Sequence, residues 1–239
     1  MSRIVNLPRG LPIRRYEPLS GPRAIGGGST ESLEGYVQTS ASLFGLWRFR
    51  FTIGPIRGDV FRAYRGFVTA MHGGANATLI RIIDYDKMSY AAMGANVSES
   101  AIKNGVRWAG DIYWKHKKTW ELGSPYLENP TPASRGDTTV FLPSQWWGSR
   151  LNVGDWFGYA PDHLGLYVVT QIHDDGSYRI WPPLRRDVIA DDLATLDPVM
   201  AMRLEGSESA NLGRDISFSD ELTLTMVEVE DADVRDYFL

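Results

Sequence analysis

The sequence predicts a mainly β protein of the α+β kind, a β-sandwich or barrel with one packed helix and a second β-rich unit. Three observations predict it. Aromatic residues make up 12% of the 239 positions (Trp 8, Tyr 11, Phe 9), a bias towards pleated, half-buried surfaces. Residues 46–53 alternate between apolar and polar, whereas a single stretch from 59 to 72 carries three- and four-residue spacing. The last hundred residues break into short alternating runs punctuated by Gly, Pro and Asp-Gly.

Taken in order, residues 1–45 read as an extended N-terminal arm. Pro8, Pro12, Pro18 and Pro22 remove backbone donors, and Gly26-Gly27-Gly28-Ser29 marks a flexible turn. In Leu46–Ile53, Trp47, Phe49, Phe51 and Ile53 share one face and Arg48, Arg50 and Thr52 the other, which defines a half-buried strand. Gly54-Pro55 ends it. Val60, Tyr64, Phe67, Val68 and Met71 then line one side of a helix, with Asp59 placed to cap its start and Gly73-Gly74 to stop it. Ala77–Ile83 is rich in β-branched residues and returns as a strand. Between 85 and 135, Trp108, Trp114 and Trp120 are interleaved with Lys115–Lys118, and Gly123–Gly136 is turn-rich.

The remainder reads as β. Strands are expected at 138–142, 152–159, 164–172, 177–181, 199–204 and 222–229. Asp174-Asp175-Gly176 predicts a hairpin turn, because glycine supplies the positive φ that tight turns need. Pro182-Pro183 stops the strand that follows.

Composition excludes several functions. Cys 0 removes disulfides, thiolate metal sites and cysteine nucleophiles together. A net charge of -4 argues against general nucleic-acid binding, which rests on neutralising phosphates. No apolar run approaches the roughly 20 residues a membrane span requires, and Met1–Pro8 carries no secretory pattern. The expectation is a cytoplasmically made protein without membrane insertion.

Local motifs do not assemble a catalytic site. Gly26–Thr30 lacks the Gly-Lys-Ser/Thr ending of a phosphate loop. His72, His116, His163 and His173 show no metal-ligand spacing; His72 is expected at the helix end, and His163 and His173 on the surface. Asp174-Asp175 and Asp191-Asp192 fit solvated acidic turns, and no Gly-x-Ser-x-Gly elbow exists. Neither an enzyme nor a cofactor is expected. Trp146-Trp147 is read as a subunit contact or a sugar platform, since Trp concentrates at interface hot spots.

The strand–helix–strand run Trp47–Ile53, Asp59–His72, Thr78–Ile83 resembles the belt domain of the distal tail proteins of long-tailed phages. Asn152-Val153-Gly154-Asp155-Trp156, the Asp-Gly hairpin, Ile180-Trp181-Pro182-Pro183-Leu184-Arg185 and Pro198–Leu204 are similar in order to tail-tip proteins of siphophages and related prophages. The likeness covers about two-thirds of the chain, leaving 85–135 unmatched. It implies a virion structural protein: a hexameric ring between the tail tube protein and the hub or tip, with a channel that genome DNA crosses without specific binding. A trimeric tail hub protein and a receptor- or carbohydrate-binding module are the alternatives.

The expected organisation is an arm at 1–45, a belt-type core at 46–90 completed by C-terminal strands, an aromatic and basic insertion with linker at 91–150, and a second β-rich unit at 151–239. The residues expected at the subunit interface are Trp146, Trp147, Trp181, Pro182, Pro183, Leu184 and Arg185.

Overall fold

The computed structural model describes residues 3–19, 29–31, 37–39, 45–82, 84, 86–88, 101, 126–127, 130–142, 150–160, 163–213 and 219–230. They form two compact units. The first comprises Met1–Ile82, Pro182–Arg186 and Val199–Leu239; the second comprises Ile83–Trp181 and Asp187–Pro198. Among the described residues the class is mainly β, with one α-helix of 13 residues.

The strands among the described residues are β1 (Ile13–Pro18), β2 (Ser29–Glu31), β3 (Val37–Thr39), β4 (Arg48–Ile53), β5 (Ala77–Arg81), β6 (Tyr126–Leu127), β7 (Thr139–Val140), β8 (Trp156–Ala160), β9 (Tyr167–Ile172), β10 (Tyr178–Trp181), β11 (Leu193–Thr195), β12 (Val199–Leu204) and β13 (Leu222–Glu228). The helix α1 spans Gly58–Ala70.

The first unit holds the antiparallel sheet β1-β4-β13-β12-β5. Its alternation is visible in the burial of β4: Phe49, Phe51 and Ile53 are buried, whereas Arg50 is exposed. Trp47, Phe49 and Phe51 stack along that face with centroids 5.7 and 6.1 Å apart. Leu222, Leu224 and Met226 of β13 and Met200, Met202 and Leu204 of β12 carry the same face across the sheet. The helix closes it, with Phe61 and Tyr64 packed against Ile53, Ile56 and Leu222.

The helix start differs from the expected cap. Arg57 occupies the N-cap position in extended conformation without a side-chain hydrogen bond, and Asp59 instead pairs with Arg62 one turn on. At the other end the chain turns at Gly73 (φ 64°) and Gly74 (φ 103°), as the Gly-Gly stop predicts. Asn76 completes the terminus, its Nδ2 donating to the Ala70 carbonyl at 2.6 Å. Gly74 has a second constraint, because a Cβ there would sit 2.3 Å from the Leu204 carbonyl oxygen.

The segment expected as an arm contributes a strand. β1 lies antiparallel to β4, with Tyr16 opposite Phe51 and its ring 6.4 Å from that of Phe49. Leu11 packs against the helix cluster. Further upstream, Val5 donates to the Ala77 carbonyl (2.8 Å) and Ala77 to that of Arg3 (3.1 Å).

The second unit holds the sheet β6-β11-β8-β9-β10-β7. Phe157, Tyr159, Tyr167, Val169, Tyr178 and Ile180 fill its core. The β9–β10 hairpin turns as expected: Gly176 has φ 83°, and Asp175 Oδ1 accepts from the Ser177 amide (2.8 Å) and hydroxyl (2.6 Å). The division of the chain runs elsewhere than at 150/151, since β12 and β13 belong to the first unit. Arg81 lies opposite Val199 on neighbouring strands, so 82 to 198 is an excursion between two paired strands.

Replacing Gly74 by Ala should therefore destabilise the protein by at least about 2 kcal/mol, through the left-handed backbone and the clash with β12 together. Urea denaturation measures it, and a loss below half that value would show that the turn relaxes freely. Burial also pushes the Tyr64 hydroxyl from 10.0 up to about 12. Its folded pKa lies above the unfolded one, so its contribution is whole below pH 10 and is lost as pH climbs through 12. Tyr64→Phe gives up the hydroxyl's bond to the Asn211 carbonyl (3.2 Å), about 1 kcal/mol near neutrality. Its urea midpoint should then fall less steeply than wild type between pH 10 and 12.

Candidate assembly site and the buried strap

The local sequence Trp181-Pro182-Pro183-Leu184-Arg185 determines its own path. Two prolines cannot extend the ladder of β10, and the residue before each is pushed to extended backbone. The chain leaves β10 and enters the first unit as a strap, Pro182–Arg186. Trp181 is half-buried, and Pro182, Pro183, Leu184 and Arg185 are buried. This corrects the expected interface: those four side chains lie inside the chain's own core and have no surface to offer a neighbour. Trp146 and Trp147 lie outside the described residues, as do Trp108, Trp114, Trp120 and Lys115–Lys118.

What holds the strap is a buried ion pair. Arg185 donates from Nη2 to Glu228 Oε2 (2.8 Å) and from Nε to Oε1 (3.1 Å), the two-pronged geometry a guanidinium makes with a carboxylate. Its Nη2 also donates to the Gly45 carbonyl. The Trp47 amide donates to Glu228 Oε2 at 2.9 Å, and the Glu228 amide returns a bond to the Trp47 carbonyl at 2.8 Å. The side chains are 1% and 0% exposed. Burial drives the Glu228 carboxyl above its ordinary value, and the charge and hydrogen bonds of Arg185, then the Trp47 amide, pull it back.

A sequence signal for this pair existed. Leu222, Leu224, Met226 and Glu228 are in phase on β13, so the alternation itself puts a carboxylate on the core face. A charge there needs a cation, and Arg185 supplies it across 43 residues.

The outer strands of the first unit's sheet are β1 and β5. Ala77 spends its amide and carbonyl on Val5 and Arg3, on the side away from β12. By the two-residue period, the amides and carbonyls of Leu79 and Arg81 point the same way. Among the described residues no strand pairs with them there, and the Leu79 side chain is exposed. The outer side of β1 likewise has no partner strand among the described residues, and Ile13 is exposed.

The other polar residues are absorbed locally. His163 is not on the surface: it is buried, its Nε2 bonded to the Tyr167 hydroxyl and its ring 5.2 Å from that of Tyr159. Burial, with the Asp192 charge behind it, raises the Tyr159 hydroxyl. Asp192 is buried as well, accepting from the Ile189 amide at 2.8 Å instead of lying in a solvated acidic turn. Asp155 closes the Asn152–Asp155 turn, accepting from the Asn152 amide at 2.6 Å. Asp137 does the same for Ser134 at 2.8 Å, which accounts for Arg135-Gly136-Asp137 as a turn. Among the described residues no group of three His, Asp or Glu side chains is placed to hold a metal. Nor is any helix there long and apolar enough to cross a membrane.

No protein-family model matches the chain, and no curated protein matches it.

Arg185→Leu should leave Glu228 buried without its cation and destabilise the protein by about 3–5 kcal/mol. The double variant Arg185→Leu, Glu228→Leu should recover most of that loss, because an apolar pair of similar volume needs no compensation. Urea denaturation of the three proteins checks both statements. Equal losses in the single and double variants would mean that the residues act through packing alone.

Proposed function

We propose that this chain is a structural protein of the distal end of a phage tail, forming a homo-oligomeric ring that joins tail tube to hub or tip around a DNA channel. The observation that carries the reading is a mainly β first unit whose β4–α1–β5 run sits in a sheet whose outer strands, β1 and β5 beyond Ala77, have no further partner strand among the described residues. Two different edges on one subunit favour a heterologous, head-to-tail contact, and such contacts close into rings when the rotation permits. An edge is an aggregation hazard unless it is covered, and pairing β1 of one copy with β5 of the next would cover both. The order of strand, helix, strand, hairpin and strap along the chain supports the same reading through its likeness to tail-tip proteins.

In this reading the contact lies at β1 and β5 and not at Pro182–Arg185. The protein acts by shape and assembly, without a reaction of its own. The virion is its site of action, the bacterial cytoplasm its place of synthesis, and six the copy number that the resemblance implies.

Mass measurement of the purified protein, with electron microscopy of the particles, tests this. The expected outcome is a closed ring of several copies that binds tail tubes, and Leu79→Lys should reduce it to a folded monomer by charging the β5 edge. A wild-type protein that stays monomeric and never joins tail tubes would overturn the reading. A ring untouched by Leu79→Lys and by Ile13→Lys would place the contact elsewhere.

A further inference from the structure

The strap is anchored at both ends in the second unit. Trp181, immediately before it, is paired with Val168 in the β9–β10 hairpin. Val188, two residues after it, exchanges backbone hydrogen bonds with Ala133 at 2.8 and 3.1 Å, and Asp187 Oδ1 accepts from the Arg135 amide at 2.7 Å. The strap's contribution to the first unit is the cation for Glu228, together with the buried Pro182, Pro183 and Leu184.

We infer that Pro182–Arg186 is a conformational clip that makes the folding of the first unit conditional on that of the second. With the second unit folded, both flanks of the strap are held, so seating Arg185 beside Glu228 orders less free chain. With the second unit open, both anchors are released, and seating the strap again requires ordering a long free chain. Glu228 is then a carboxylate on the core face of a central strand without its partner, and β13 loosens with it. The coupling is reciprocal, so folding of the first unit stabilises the second by the same factor as folding of the second stabilises the first. This inference is independent of the ring reading, because a monomer would show it too.

Native-state hydrogen exchange on the full-length protein tests it. Gly158→Ala strains the second unit, since a Cβ there would lie 2.6 Å from the Gly165 carbonyl oxygen and 2.8 Å from Pro198 Cβ. In the wild-type background it should lower the protection of Phe51 and Leu224 amides in the first unit by about 10-fold or more. In the Arg185→Leu, Glu228→Leu background the same substitution should leave those amides nearly unchanged. Unchanged protection in the wild-type background, or an equal fall in both, would overturn the clip. Should a variant not fold, wild type alone decides: with added urea, Phe157 and Val169 should merge with Phe51 and Leu224 into one opening. A second unit that opens separately at lower urea, leaving the first protected, contradicts the inference.

Discussion

Glu228 is the constraint on which the first unit turns. It and Arg185 are that unit's two charged residues buried to near zero exposure among the described ones. A lone carboxylate in such a place would neutralise itself or open the sheet. Its position is not optional either, because Leu222, Leu224 and Met226 set the phase of β13 and carry Glu228 inward with them. The guanidinium has to come from outside the sheet, and it arrives on a proline-stiffened strap that interrupts the second unit. The return of Pro182–Arg186 to the first unit goes with that one pairing. A buried pair of this kind adds little over an apolar pair of equal size, but it accepts only one partner in one geometry. Its contribution is selective: β13 lies where its end meets both Trp47 and Arg185.

Strands whose two faces differ in polarity were legible in the amino-acid sequence. β4, β9, β10, β12 and β13 fall within the predicted runs, and α1 begins and ends within two residues of its predicted span. The Asp-Gly turn was legible for a local reason, since the positive φ of Gly176 is a property of one residue. β1 was hidden by its place at an edge: Arg14, Arg15 and Glu17 sit where a core strand would show apolar residues, and four prolines nearby read as an unstructured arm. β11 is three residues long, too short for a period to register.

The site was less legible than the fold because its parts meet over long separations. Pro182-Pro183-Leu184-Arg185 reads as an exposed apolar corner when only its neighbours in sequence are weighed, since arginine beside proline is common on surfaces. Only the phase of Glu228 reveals that a cation is needed, and no local pattern says which of 25 basic residues answers. His163 misled for the same reason. It lies beside a turn in sequence, yet Tyr159 of β8 and Tyr167 of β9 enclose it.

The strap and the sheet edges meet in β13. The strand order β1-β4-β13-β12-β5 places it at the centre, so each open edge hangs from it through one intervening strand. Its six-residue register with β4 and its pairing with β12 align the two halves. An edge can template a neighbour only when its amides and carbonyls are held in register, and that register passes through the strand that ends at Glu228. If Arg185 is absent from its place, the end of β13 beside Trp47 is the first part to lose its reason to stay inside, and β4 and then β1 lose their alignment with it. On the proposed reading, a subunit whose second unit has not folded would present poorly aligned edges and join a ring badly. On that same reading, the buried pair that fixes the interior would also screen which copies are fit to assemble.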